Sequence, residues 1–185
     1  MGVEQTYRNS IRKLKGFCFK TYLQLHGCKV GSGLKCYAFP KIRAVPKGNI
    51  TIGNNVTFGY GCTLEIGAEG KLILGNNVLL ADNILLSTIS EILIGNWAAI
   101  AENVSIRGSF HKMKKNKPYR LQGNVSEPIV IGEDTGIGAG CIVLMGVTVP
   151  KGVFIGSNST VLKDTEMVPY GIYAGLPLKL LKIRD

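Results

Sequence analysis

Histidine is scarce in this chain. Its 185 residues hold two, His26 and His111, and two imidazoles cannot supply a three-histidine metal site. The five cysteines (Cys18, Cys28, Cys36, Cys62, Cys141) are odd in number and form no CxxC pair. That argues against both a disulfide framework and a zinc site. No apolar run approaches the ~20 residues that span a bilayer. The opening MGVEQTYRNSIRKLKG has no apolar stretch of the kind a secretory leader carries. The cytosol is the expected compartment. No GxGxxG follows a strand, which excludes a leading dinucleotide-binding unit. Neither a C2H2 pattern nor an aromatic-plus-basic module is present, so nucleic acid is a poor partner.

Glycine is abundant by contrast, with 24 residues, about twice the usual ~7%. Hydrophobic residues at 45% and charged residues at 18% give a globular composition. The net charge of +10 is unevenly placed. Residues 1–48 hold ten Lys/Arg against Glu4. Residues 107–130 hold six against Glu127. Residues 49–106 are net acidic, and residues 131–185 balance. Positive charge at the N-terminal end and in one loop can meet phosphates or an acidic surface.

An internal repeat dominates the rest. From Ile131 an aliphatic residue recurs every six positions, at Ile137, Val143, Val149, Ile155 and Val161. The same phase governs Ile94, Ile100 and Ile106; Leu74, Leu80 and Leu86; and Ile52, Phe58 and Leu64. A degraded version begins at Val30, Cys36 and Ile42. A period of six is neither the alternation of a simple strand nor the 3.6 spacing of a helix. It suits a chain that turns a corner every six residues, so that three short strands close a triangular coil around inward aliphatics. The following Gly or small residue is expected to allow the tight turn. A β-sandwich with Gly-rich turns does not readily hold six consecutive positions in phase. The fold class is therefore mainly β, a parallel β-helix of about six coils.

Three segments leave the period. Residues 1–28 carry Val3, Tyr7, Ile11, Leu14, Cys18, Tyr22 and Leu25 at helical spacing. They predict an amphipathic helix covering the first coil, with a basic opposite face (Arg8, Arg12, Lys13, Lys15, Lys20). Such a helix is a solvated cap, or one able to lie on an anionic membrane surface. Residues 107–130 separate Ile106 from Ile131 and predict a protruding loop between the fourth and fifth coils; loops of this length are usually functional. The β-helix then spans 29–168 with that loop inserted. Residues 169–185 form a tail, in which Pro177 is placed to start a short C-terminal helix over 177–183.

The hexapeptide register resembles the left-handed β-helix acyltransferases. NVSIRGSFH at 103–111 is similar to the segment of galactoside and maltose O-acetyltransferases that ends in their catalytic histidine. IGEDTGIGAGCIVLMGVTVPKGVFIGSNSTVLKD at 131–164 is similar to the coils that follow. VPYGIYAGLPLKLLKIR at 168–184 resembles their AG-x-P ending. Residues 1–48 are closer to acetyltransferases of lipopolysaccharide and capsule loci. The resemblance implies an acetyl-CoA-dependent O-acetyltransferase acting on a sugar in surface polysaccharide or lipopolysaccharide assembly. It implies His111 as general base, with direct transfer and no metal. It implies a homotrimer with sites between subunits, placed in the cytoplasm or at the inner face of the membrane. Ala139, Ser157, Leu162 and Lys163 map to its cofactor contacts, and Lys179 and Lys182 to basic positions that meet phosphates. Asn83 matches its acceptor-contacting Asn.

The chain also departs from that pattern. Gly136 stands where most members have Trp, which implies a more open groove wall. The acceptor-binding acid of the galactoside type falls at Ser87 or Thr88. γ-Class carbonic anhydrases need three histidines, and serine acetyltransferases a larger helical domain. An N-acetyltransferase on a nucleotide-linked amino sugar, or a non-catalytic scaffold, stays open. Cys62 and Cys141 read as small core residues rather than nucleophiles. The basic loop (Lys112, Lys114, Lys115, Lys117, Arg120) can face an anionic acceptor, the CoA nucleotide or solvent. His26 reads as a surface or packing residue.

Overall fold

The structure is a computed structural model and describes residues 3–185. Its body is a three-sided β-solenoid. Strands separated by about one coil in sequence pair in parallel, and three stacked sheets result. The first face runs from Lys29–Val30 to Thr148–Val149 through six strands. The second begins at Lys35–Cys36 and the third at Lys41–Ile42. Six complete coils follow, and Gly171–Ala174 adds the second face of a seventh. That extra strand continues the period, because Tyr173 pairs beside Ile155 and is 4% exposed.

The sixfold aliphatics are the core. Every one from Ile52 to Val161 is at most 2% exposed. Each such side chain removed from water contributes about 1.5–3 kcal/mol. A second inward line lies two residues before each of them. It includes Val56, Cys62, Ile84, Ala98, Val104, Cys141 and Val153.

The corners divide two tasks that the sequence reading merged. On the first two faces, from Ile52 to Ile155, the residue three places after the aliphatic carries the left-handed turn: Asn55, Asn77, Asn83, Trp97, Asn103, Asp134 and Asn158 all have φ between 54° and 60°. Asn and Asp tolerate this region better than most residues, and glycine best. The glycine directly after the aliphatic serves stacking instead. At Gly138 a Cβ would stand 2.6 Å from the Ser157 nitrogen of the next coil.

α1 (Val3–Leu25) closes the first coil. Residues 1 and 2 of the predicted 1–28 helix lie outside the described residues. Phe19 and Leu23 are fully buried, and the Phe19 ring meets Phe39 and Phe58 edge-on at 5.1 and 5.8 Å. Gly16 lies against the Leu34 carbonyl, where no side chain fits. The helix stops in a Schellman arrangement: Cys28 N–H donates to Leu23 C=O (3.0 Å), Gly27 N–H to Gln24 C=O (2.9 Å), and Gly27 has φ 76°. The packing face is not the stripe the spacing pointed to. Tyr7, Leu14 and Leu25 of that stripe are 66%, 62% and 81% exposed. The close approach at Gly16 sets the rotation and turns most of that stripe outward, while Tyr22 at its edge still packs against the core.

The C-terminal helix expected over 177–183 is a strand. Lys179–Ile183 pairs antiparallel with Gly171–Ala174. The seventh coil would otherwise leave an open edge of unpaired N–H and C=O groups. The chain reverses at Gly175 (φ 97°) and covers it.

Candidate active site

The loop of 107–130 is a β-hairpin on the third face. Ser109–His111 pairs antiparallel with Asn124–Ser126, and His111 stands opposite Asn124. Its base is tied to the coil. Gly108 N–H donates to Ser87 C=O at 2.8 Å, and the Ser126 hydroxyl donates to Gly108 C=O. Gly108 lies directly on the Thr88 side chain, which leaves no room for a Cβ. The hairpin therefore leaves the solenoid at a fixed place. His111 is exposed, and its ring meets Tyr119 edge-on at 5.7 Å.

A cleft of about 460 Å³ lies between this hairpin and the third face. His111, Phe110 and Asn124 form its hairpin wall, while Arg43, Glu65, Ser87 and Arg107 form its floor. The floor is a register column. Glu65 pairs beside Ser87, and Ser87 beside Arg107. Arg43 follows Ile42, which pairs beside Leu64. Neighbouring rungs stand about 4.8 Å apart. Arg43 reaches Glu65 at 3.7 Å. The Arg107 Nε–H donates to the Ser105 hydroxyl at 3.0 Å, and among the described residues no carboxylate pairs with Arg107. Beyond His111 the hairpin carries Lys112, Lys114, Lys115, Lys117 and Arg120, all exposed.

The column was missed in the sequence although the period contains it. Arg43, Glu65, Ser87 and Arg107 each follow an inward aliphatic, so the same phase places them side by side. Ser87 and Thr88 both line the cleft. Thr88 is 1% exposed and its Oγ1 accepts from Ser90 N–H at 2.9 Å, so Ser87 is the more available of the two.

The other candidate residues fall elsewhere. Asn83, Ala139 and Ser157 share the edge between the second and third faces. There Asn83 N–H donates to Tyr60 C=O (2.7 Å), Gly140 N–H to Glu102 C=O (2.9 Å) and Asn158 N–H to Ala139 C=O (2.8 Å). The Asn83 carboxamide donates to Asn103 Oδ1 at 3.2 Å. His111 leaves from the opposite edge of the third face, five residues along the strand, or about 16 Å. Leu162 and Lys163 lie on the His111 side, where the Lys163 ammonium meets Glu127 at 2.6 Å. That hydrogen bond and charge raise the Lys163 pKa. Lys179 and Lys182 are exposed on the last strand. At Gly136 the expected opening is filled, because the Phe154 ring of the next coil lies over it.

His26 is no rival base. Its Nδ1 is 2.8 Å from Tyr22 C=O and its ring lies 4.5 Å from Tyr22, at the end of α1. The inward cysteines are no nucleophiles either. Cys62 and Cys141 donate to Ala81 and Gly156 carbonyls at 3.2 and 3.1 Å. Burial pushes both thiols up, and pushes Cys36 up to about 12. A thiol whose folded pKa is raised stabilises the fold fully below its ordinary value near 9.0. That stability is lost as pH rises from there towards the folded value, by about 1.4 kcal/mol per pH unit. Urea unfolding from pH 8 to 11 is expected to show stability falling above pH 9, and Cys36→Ala to flatten that slope. An unchanged slope in the variant would refute the assignment.

The fold and the site together define a β-solenoid of hexapeptide coils with a histidine-bearing hairpin over a basic cleft. No family model matches the chain. A protein of Lysinibacillus sphaericus named "Probable macrolide acetyltransferase" is 34% identical over 111 residues, 51% of this chain and 61% of that protein. The chain spans less than two thirds of the length of the curated relatives it matches. Among solved structures, AntD, an N-acyltransferase from Bacillus cereus in complex with dTDP and Coenzyme A, superposes with a TM-score of 0.75. It is 23% identical, with 90% of each chain covered. A maltose O-acetyltransferase from Clostridium difficile 630 gives a TM-score of 0.57 at 20% identity, covering 97% of this chain and 88% of that one. These two likenesses concern the fold. Fold and local sequence together fit the hexapeptide-repeat acyltransferase family.

Proposed function

We propose that this chain transfers an acetyl group from acetyl-CoA to a hydroxyl of a sugar acceptor, with His111 as general base. One observation carries the reading: the only imidazole on the solenoid stands on the wall of the cleft. The His111 imidazole takes the acceptor hydroxyl proton, and the oxygen attacks the thioester carbonyl. The C–S bond breaks, and the imidazolium returns the proton to the CoA thiolate. Holding the two substrates in contact supplies much of the rate.

Acetyl-CoA would lie along the edge of Ala139 and Ser157 and the backbone of Leu162 and Lys163, with Lys179 and Lys182 towards its phosphates. Asn83 shares that edge and would contact the acceptor. Within one chain that edge and His111 are separated by the width of the third face. A second protomer presenting its edge beside the first one's His111 would join them, which supports a homotrimer with three shared sites. The unpaired Arg107 and the basic hairpin tip favour an acceptor bearing an anionic group. This fits a role in surface polysaccharide or lipopolysaccharide assembly at the cytoplasmic face of the membrane.

The match to a fold seen with dTDP and Coenzyme A also supports a second reading, N-acyl transfer to a nucleotide-linked amino sugar. The test is CoA release with acetyl-CoA and a panel of neutral sugars, sugar phosphates, and sugar nucleotides with and without an amine, products being weighed by mass spectrometry. A product heavier by one acetyl group on a hydroxyl supports the first reading. One made only on an amine replaces it with the second. No CoA binding and no product leaves the scaffold.

A further inference from the structure

α1 has a second apolar face that nothing in the fold covers. Tyr7, Leu14, Phe17 and Leu25 are 62–81% exposed, and Cys18 is exposed beside them. At 100° per residue these five fall within a sector about 100° wide, the span of an interfacial stripe. Only uncharged residues share it, Ser10 and Thr21 among them.

Charge is arranged along its border. Beside Phe17 a cleft of about 320 Å³ opens between α1 and the first coil, lined by Lys13, Gly16, Phe17, Lys20, Leu34 and Lys35. Lys20 Nζ donates to Gly31 C=O at 2.9 Å. Among the described residues none of these three lysines pairs with a carboxylate. Beyond Cys18 on the other side, Lys15 Nζ donates to Tyr37 C=O at 2.8 Å. Arg12 lies 3.8 Å over the Tyr37 ring, on the face that packs against the first coil.

We propose that this face of α1 lies on a bilayer surface with anionic headgroups, the stripe entering the acyl boundary and the Lys13/Lys20/Lys35 cleft receiving a lipid phosphate. Charge decides between this occupant and a second copy of the chain. Residues 1–48 carry ten Lys/Arg against one acid. Pairing two such ends through their stripes opposes like charges, whereas an anionic surface neutralises them. Among the described residues no helix is long and apolar enough to cross a membrane, so the proposal lays α1 on the surface and does not have it span. The inference does not use the catalytic reading.

The test is sedimentation of the whole chain with vesicles of phosphatidylcholine, with and without phosphatidylglycerol. Binding is expected to be at least ten-fold stronger to the anionic vesicles and to fall with salt. Leu14→Ser/Phe17→Ser and Lys13→Gln/Lys20→Gln/Lys35→Gln should each lose ten-fold or more. His111→Ala should bind as the unaltered chain does. The substituted side chains are exposed or border the cleft, so each variant should keep its unaltered thermal midpoint. Equal binding to both vesicles, or unchanged binding in either variant, overturns the proposal. So does displacement by inorganic phosphate alone. A drop in oligomer mass in the Leu14/Phe17 variant, by analytical ultracentrifugation, would reassign the face to a contact between copies.

Discussion

His111→Ala is expected to lose about 10²- to 10⁴-fold in turnover, the usual contribution of a positioned general base, while binding of CoA stays within a factor of two or three. The separation of the two effects follows from the roles assigned. Ala139 and Ser157, on the edge between the second and third faces, are the proposed donor contacts. His111, on the hairpin, is proposed to move the acceptor proton and not to hold CoA. The substitution should leave the hairpin intact. The strand pairing of Ser109–His111 with Asn124–Ser126 is made by the backbone, and the ring's recorded contact is the edge-on one with Tyr119. Circular dichroism should match the unaltered chain. The measurement is CoA release at saturating acetyl-CoA, with CoA affinity by calorimetry. Turnover within three-fold of the unaltered chain would remove His111 from the chemistry. Loss of CoA affinity equal to the loss of rate would make it a binding residue instead.

The period of six was legible because one physical requirement repeats it: each coil needs an inward aliphatic on each face. Its phase extends further than the aliphatics do. Tyr173 keeps it, and so do the outward Arg43, Glu65, Ser87 and Arg107. A reader who carried the phase one residue past each aliphatic would have found the cleft floor. What periodicity cannot give is the choice between two apolar sides of one helix. α1 has Phe19 and Leu23 on one side and Leu14 and Phe17 on the other. Gly16 is the local signal, because a helix that packs closely on a backbone needs a residue without a Cβ there. The last strand was illegible for a related reason. Lys-Leu-Leu-Lys-Ile suits a helix or a strand, and the open edge of Gly171–Ala174, a tertiary feature, decides it. That His111 belongs to the segment leaving the period was legible, because Ile106 is the last aliphatic in phase before it. The distance of His111 from Ala139 and Ser157 was not, because linear spacing does not say which edge of the prism a residue occupies.

Leu79 and Leu80 are adjacent on one strand of the second face, and their truncations should differ widely. Leu80 is fully buried and Leu79 is 46% exposed. Leu80 stacks between Phe58 of the coil before and Ile100 of the coil after. Leu80→Ala removes buried carbons and leaves a cavity whose walls are strands pinned by pairing on both sides, so collapse is restricted. A loss of about 2–5 kcal/mol is expected. Leu79→Ala, on the outer side of the same pleat, should change stability by about 0.5 kcal/mol or less. Each coil leans on its neighbours, so a defect in the third coil weakens both interfaces it makes. Urea denaturation of the two variants gives the comparison directly. Equal losses, or a larger one for Leu79, would mean that the inward line does not carry the solenoid. The stacking that positions the cleft would then have to come from corner contacts such as the Asn83 carboxamide donating to Asn103 Oδ1.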